Sequence, residues 1–298
     1  MNNKNNKKGE LSTQQIVLLI ILIASFIIIL LFLFRLNPGE ELDKETCHQS
    51  VVLRGSKALP SNGIPLKCGT RYLCITEDGT CESLTKPDVE RVKTEEDVYN
   101  ILAEEMADCW WMFGEGEVDY VGKDIFQNLY CSICTQFVLD DSLKKIPAFK
   151  SGTVSEKEFY RYLENKEVPN KGVSYLEYIT KISDGQALES FLSSENAGFK
   201  EYNLGDQYYV FMGIYSKIST VTWITLGAAA GVVLVVALPV GIGLASVVLL
   251  GGAGGAAGYY AGTTVEGFSG KSYLTPTIIR ANSRDFDAFR CKNAVTSS

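Results

Sequence analysis

Histidine is almost missing from this chain: His48 is the only one among 298 residues. Any Ser-His-Asp or Cys-His arrangement would have to be built on it. It stands beside Cys47, just past a long apolar run, where an exposed linker position is expected. The strings H-E-x-x-H and G-x-S-x-G and the phosphate-binding P-loop are absent. Gly252-x-Gly254-x-x-Ala257 fits a loose dinucleotide pattern, but it lies in a Gly/Ala-rich apolar stretch without a preceding strand or an acidic partner. No N-x-S/T sequon occurs, so N-glycosylation of that type is not expected. Basic residues are scarce too. Between 37 and 217 there are 19 Lys/Arg against 31 Asp/Glu, a net charge of −12. That field repels phosphate backbones and argues against nucleic acid as a partner, and equally against a polybasic hold on anionic lipid. Pairs such as Glu104/Glu105 and Asp140/Asp141 are expected to be solvated charge rather than a carboxylate dyad.

What the chain has in abundance is uncharged apolar sequence, in two blocks. The first, Ile16–Phe34, is 19 residues with no charge and one hydroxyl, Ser25. As a helix it would span about 28 Å, close to a bilayer core. Lys4, Lys7 and Lys8 precede it, whereas Arg35 is followed by Glu40, Glu41 and Asp43. The positive-inside rule then places residues 1–15 in the cytoplasm, a transmembrane anchor at 16–35, and the segment from 36 outside. The run is long for a signal-peptide core and no A-x-A site follows it, so an uncleaved signal anchor is expected. An alternative is processing after Gly9: Lys7-Lys8-Gly9-Glu10-Leu11-Ser12 resembles the cleavage site of archaeal type IV pilin-like precursors, although Glu10 stands where glutamine is more usual.

The eight cysteines, Cys47, Cys68, Cys74, Cys81, Cys109, Cys131, Cys134 and Cys291, all follow the first apolar block. An even count in an oxidising compartment implies a disulfide framework, whose connectivity spacing alone leaves open. A small stapled β unit is expected at 47–85, with a strand near Tyr72–Ile75. Cys131-Ser132-Ile133-Cys134 is a C-x-x-C and the candidate for thiol–disulfide exchange. Such a pair usually opens a helix, yet Thr135–Leu139 reads as a strand, which favours structural disulfides. A zinc site on Cys109, Cys131 and Cys134 is disfavoured by the oxidising location and the single histidine. No metal and no cofactor is expected.

The segment 36–218 reads as an α+β extracytoplasmic domain. Thr94 and Asp97 form a capping-box pattern ahead of a helix whose inward stripe is Val98, Ile101, Leu102, Met106 and Cys109. Gly114 ends it. Trp110, Trp111 and Phe113 at its end form either a partner or ligand surface or a core plug around Cys109, the latter being the commoner outcome. Ser155/Glu158 and Ser174/Glu177 cap two shorter helices, with Phe159, Tyr162 and Leu163 inward in one and Tyr175, Tyr178, Ile179 and Ile182 in the other. Leu188, Phe191 and Leu192 mark a third. Tyr208–Tyr215 reads as a strand.

The second apolar block, 219–262, carries no charge from Val221 to Gly262. One helix of that length would reach about 60 Å, so two helices, 221–238 and 243–262, broken at Pro239–Gly243, are expected as a transmembrane helical hairpin. Gly227/Gly231, Gly251/Gly255 and Gly258/Gly262 supply small-x-x-x-small packing faces, for use within the protomer or in an oligomeric pore. A hairpin returns the tail 263–298, with Cys291, to the outside, against the pull of its net positive charge.

Three stretches together, Glu10–Val17, Ala107–Gly116 and Tyr130–Cys134, resemble an uncharacterised family of membrane-anchored, cysteine-rich proteins of small-genome archaea. The resemblance implies the same architecture; the family carries no known activity, so no catalytic residue follows from it. The combined expectation is an envelope protein whose partners are the lipid bilayer and another envelope protein or a second copy of itself, with binding or scaffolding as its work.

Overall fold

The computed structural model describes residues 13–35, 39–56, 64–121, 129–181, 199–215, 233–240, 243–251, 259–266, 272–289 and 291–293. The chain divides into two compact units, Met1–Asp43 and Lys44–Ser298. In the first, helix α1 (Thr13–Arg35) forms where unbroken Leu, Ile and Phe leave no turn signal, and its large side chains from Ile16 to Ile29 are exposed. Side chains are described over only this part of α1, and among the described residues no helix is long and apolar enough to cross a membrane. The Gly9 processing site lies outside the described residues.

Helix α2 (Gly39–Gly55) leads into the second unit. Strands β1 (Arg71–Thr76) and β2 (Asp88–Arg91) follow, then α3 (Glu95–Met112), β3 (Leu129–Leu139), β4 (Thr153–Ser155), α4 (Glu156–Asn165), α5 (Tyr175–Thr180), β5 (Glu201–Asn203), β6 (Gln207–Tyr215), β7 (Val233–Val240), β8 (Gly243–Gly251), β9 (Tyr259–Glu266), β10 (Ser272–Arg280), α6 (Arg284–Ala288) and β11 (Lys292–Asn293). The expected mixture of helices and strands is present, on one mixed sheet ordered β2-β1-β3-β6-β10-β9-β8-β7, with β11 beside β3. β4 and β5 pair separately.

Capping organises the helices as the sequence predicts. The Thr94 hydroxyl accepts from Asp97 N while the Asp97 carboxylate accepts from Thr94 N, and Gly114 follows α3 at φ 79°. Ser155 caps α4 and Ser174 caps α5, each accepting the amide three residues on. α3 lays Val98, Leu102, Met106 and Cys109 on the sheet against Leu73, Ile75 and Phe137, in a core that α4 and α5 extend with Phe159, Leu163, Tyr175 and Ile179. The third short helix expected around Leu188, Phe191 and Leu192 lies outside the described residues.

β1 and β3 run parallel and α3 stands between them in sequence, a βαβ unit. One expectation changes: 233–240, 243–251 and 259–266 are antiparallel strands rather than a helical hairpin. Val-rich, β-branched sequence around Pro239–Gly243 suits a strand–turn–strand as well as a broken helix. Strand pairing satisfies the same backbone groups, and β9 joins the whole to β10. Gly251 and Gly262 therefore lie on β8 and β9 and form no helix-packing face, while Gly227, Gly231, Gly255 and Gly258 lie outside the described residues.

Candidate functional site

All eight cysteines are paired: Cys47–Cys68, Cys74–Cys81, Cys109–Cys134 and Cys131–Cys291. The first two replace the expected stapled β unit at 47–85 with a mixed one. Cys47 sits on α2 and ties that helix to the segment before β1, while Cys74 on β1 closes the turn that follows. The two cysteines of the C-x-x-C are not bonded to each other. Register shifts between Ile133 and Thr135 of β3, a bulge at Cys134. Three residues apart on one strand, the two cysteines point to opposite faces, so Cys131 faces the small core with Phe211, Leu274 and Phe289, and Cys134 faces the main core beneath α3. Each is bonded elsewhere, so neither has a resolving partner in the motif.

The aromatic cluster is the core plug rather than a surface. Trp110 and Phe113 are fully enclosed; Trp110 meets Tyr273 edge-on and Phe113 packs against Tyr120. Only Trp111 is half-buried. His48 is no free linker residue: its ring stacks on Trp111 at 4.3 Å and its Nδ1 lies 2.7 Å from the Trp111 carbonyl. With the Lys44–Asp108 ion pair at 2.7 Å and the Cys47–Cys68 bond, this clamps α2 to α3 and the main core.

Two buried carboxylates escaped the sequence reading. Glu105 of α3 is enclosed, bound by Arg71 of β1 and by the Thr135 hydroxyl of β3. Arg71 also reaches Asp88 at 3.2 Å and Glu90 at 3.4 Å. Burial pushes the Glu105 carboxyl up, against the pull of Arg71 and Thr135. The stripe itself carried the signal: Val98, Leu102, Glu105 and Cys109 recur at spacings of four, three and four, which turns Glu105 inward. Glu156, the first residue of α4, accepts from Lys200 N at 2.7 Å and from the Tyr202 hydroxyl at 3.2 Å, joining α4 to β5. Enclosure drives its carboxyl up to about 7 from 4.5. The folded state thus holds this proton more tightly than the unfolded chain. The contribution is present in full below about pH 4.5 and is lost as pH rises through 7, an effect on the order of 3 kcal/mol. Urea midpoints of the wild type are expected to fall between pH 5 and pH 8, and those of Glu156→Gln to fall much less.

Among the described residues, the exposed large apolar side chains of the sheet, Tyr72 and Val89, border a cross-strand row that ends at Tyr209, itself packed on Phe286. Tyr72 of β1 stands opposite Gln136 of β3, which stands opposite Tyr209 of β6. Leu73, Phe137 and Tyr208, one residue along, are in the main core, so the row lies on the other face. Tyr72 is 50% exposed, and Val89 beside it on β2 is 45% exposed. Gln136 Nε2 donates to Gln207 Oε1 at 2.7 Å, which holds the carboxamide in the row. No charged residue stands among Tyr72, Val89, Gln136 and Tyr209.

Among the described residues no group of three or more His, Cys, Asp or Glu side chains could hold a metal ion. No protein-family model, curated protein or solved structure matches the chain.

Proposed function

We propose that this is a membrane-anchored envelope protein that presents a disulfide-stapled outer domain for binding at the cell surface. The observation that carries the reading is that all eight cysteines follow the apolar helix and none is free. Such complete pairing is characteristic of oxidising compartments outside the cytosol. The lysines ahead of α1 and the acidic residues after it support an anchor with its N-terminus inside. β10 is hydrogen-bonded to β6, and Cys291 is bonded to Cys131. A bilayer cannot separate groups joined in these ways, so the C-terminal tail belongs with the outer domain. The uncharged block 221–262 is read as lying against lipid or a partner. The resemblance of Glu10–Val17, Ala107–Gly116 and Tyr130–Cys134 to archaeal envelope proteins agrees with this reading.

With Trp110 and Phe113 enclosed, recognition falls to the row Tyr72, Gln136 and Tyr209. Two phenol rings flanking a carboxamide, without charge, suit a neutral hydroxylated ligand such as a surface saccharide. The bonds of Cys134 to Cys109 and of Cys131 to Cys291 speak against an oxidoreductase built on the C-x-x-C.

The test is alkylation of intact cells with a membrane-impermeant maleimide. No label is expected before reduction, and eight labels are expected after a denaturing reduction, with a full-length mass. Label that enters before reduction would refute the framework, and a mass lacking the first nine residues would favour the pilin-like alternative.

A further inference from the structure

A cleft of about 360 Å³ lies between the start of α3 and the end of α4. Glu95, Glu96 and Tyr99 line it from α3, and Tyr162, Asn165 and Lys166 from the end of α4. Its size falls at the lower end of small-molecule sites. Helix polarity shapes its charge. The positive end of α3 is answered by Glu95, Glu96 and Asp97, while the last carbonyls of α4 bring partial negative charge. Burial, the Glu95 hydrogen bond and the charges of Glu95, Glu158 and Glu201 raise the Tyr99 phenol. Burial, Glu96, Tyr175, Glu104 and Asp97 raise Tyr162 to about 12. The two phenols thus stand in a field of carboxylates.

One cation is already seated there. Lys166 Nζ lies 3.1 Å from Glu96 Oε1 and 6.0 Å from the Tyr162 ring centroid. The lining therefore accommodates an alkylammonium against a carboxylate and a phenol ring. This tethered one takes a single carboxylate of the two. Glu95 accepts from the Tyr99 hydroxyl at 2.8 Å and has no cation partner among the described residues. Tyr99 is only 5% exposed and is wedged against Phe149 and Phe159, so the carboxylate it holds is set in place beforehand. Asn165 donates its amide N–H to the Arg161 carbonyl at 2.8 Å, which leaves its side-chain oxygen to accept.

These groups select the occupant. An anion is repelled by two carboxylates. A neutral sugar would leave Glu95 without a counter-charge. A bare divalent ion needs more ligands than two carboxylates supply, and among the described residues no group of three or more His, Cys, Asp or Glu could hold one. A protonated amine brings three donors and no acceptor, and its methylenes pack against aromatic rings. We infer that this cleft binds a second alkylammonium group on a slender chain, with Glu95 as its carboxylate, Asn165 as a further acceptor and the Tyr162 ring beside it. Lys166 is the built-in competitor for the same carboxylates. The acidic field of the domain draws such cations in.

The experiment is saturation-transfer NMR on the full chain in detergent at low ionic strength, with 1,5-diaminopentane as the probe and 1-pentanol as its uncharged counterpart. Saturation is expected to reach the diamine and not the alcohol. Glu95→Gln, which keeps an acceptor for Tyr99, is expected to weaken the diamine about tenfold or more with Tm unchanged, because a charge-assisted hydrogen bond is lost. Lys166→Met should tighten it, since the tethered rival is gone; an ordinary surface ion pair would give no such gain. A capped Gly-Lys-Gly peptide distinguishes the source of the amine. Binding as tight as the diamine's assigns the cleft to a lysine side chain of a partner, and binding more than about tenfold weaker assigns it to a free amine. Absence of saturation in the wild type would overturn the proposal. So would equal saturation of the alcohol, or a diamine affinity that Glu95→Gln leaves unchanged.

Discussion

Replacing Cys131 and Cys291 together by alanine is expected to lower the stability of the 44–298 unit by about 5 kcal/mol. Their bond closes a loop with a sequence separation of 160, the longest of the four. In the chain-entropy account a cross-link constrains the unfolded ensemble more as the loop lengthens, and a loop of this size is worth about 5 kcal/mol. Cys74–Cys81, with a separation of 7, should be worth about 2 kcal/mol by the same account. Alanine avoids burying a hydroxyl, because Cys131 is only 5% exposed. Denaturant titrations of the wild type and both double variants, without reductant, measure the difference. Equal losses would mean that loop closure is not what the long bond contributes. The prediction reaches topology as well, since the bond forms only if residue 291 matures in the same compartment as residue 131.

The second large effect is Arg71→Ala, expected to cost about 3–5 kcal/mol at pH 7.5. The cost arises less from the lost attraction than from what remains: Glu105, with a side chain 5% exposed, keeps only the Thr135 hydroxyl. An isolated carboxylate in that position is driven to take up a proton. Burial already raises the Glu105 carboxyl with Arg71 present, and the variant raises it further. The sign follows from linkage: a carboxyl raised in the folded state costs stability as pH climbs above its unfolded value. Arg71→Ala should therefore be closer to the wild type at pH 5 than at pH 7.5 in paired urea titrations. The triple variant Arg71→Met, Glu105→Leu, Thr135→Val removes the enclosed members of the network with similar volumes, leaves Asp88 and Glu90 to solvent, and should recover most of the loss. A loss independent of pH would place the cost in packing of the Arg71 stem instead.

Much of the local structure was legible because short-range chemistry decides it. The Thr94–Asp97 box, the Ser155 and Ser174 caps and the stripe along α3 each follow from residues three or four apart, and each stands where expected. The strands at Tyr72–Ile75 and Tyr208–Tyr215 follow from aromatic and branched residues between turn signals. The candidate site was less legible. Trp110, Trp111 and Phe113 are the residues a surface reading favours, yet only Trp111 has any access to solvent. Tyr273, distant in sequence, closes over Trp110, and Tyr120, from the segment after α3, closes over Phe113. The Tyr72, Gln136 and Tyr209 row joins three strands distant in sequence, so no linear motif announces it.

The sequence by itself determined the exposed apolar helix, the helix caps, the acidic field and the parity of eight cysteines, because each depends on composition or on neighbours within a turn. Tertiary structure decided which cysteines pair: alternation puts Cys131 and Cys134 on opposite faces of β3, and only the folded chain brings Cys291 to one and Cys109 of α3 to the other. It also decided the form of 233–240, 243–251 and 259–266. An uncharged run satisfies its backbone equally as helix or as strand, and here pairing with β10 through β9 selects the strand. The buried carboxylates were settled at the same level. Whether Glu105 is solvent-facing or enclosed depends on Arg71 arriving from a strand 34 residues away.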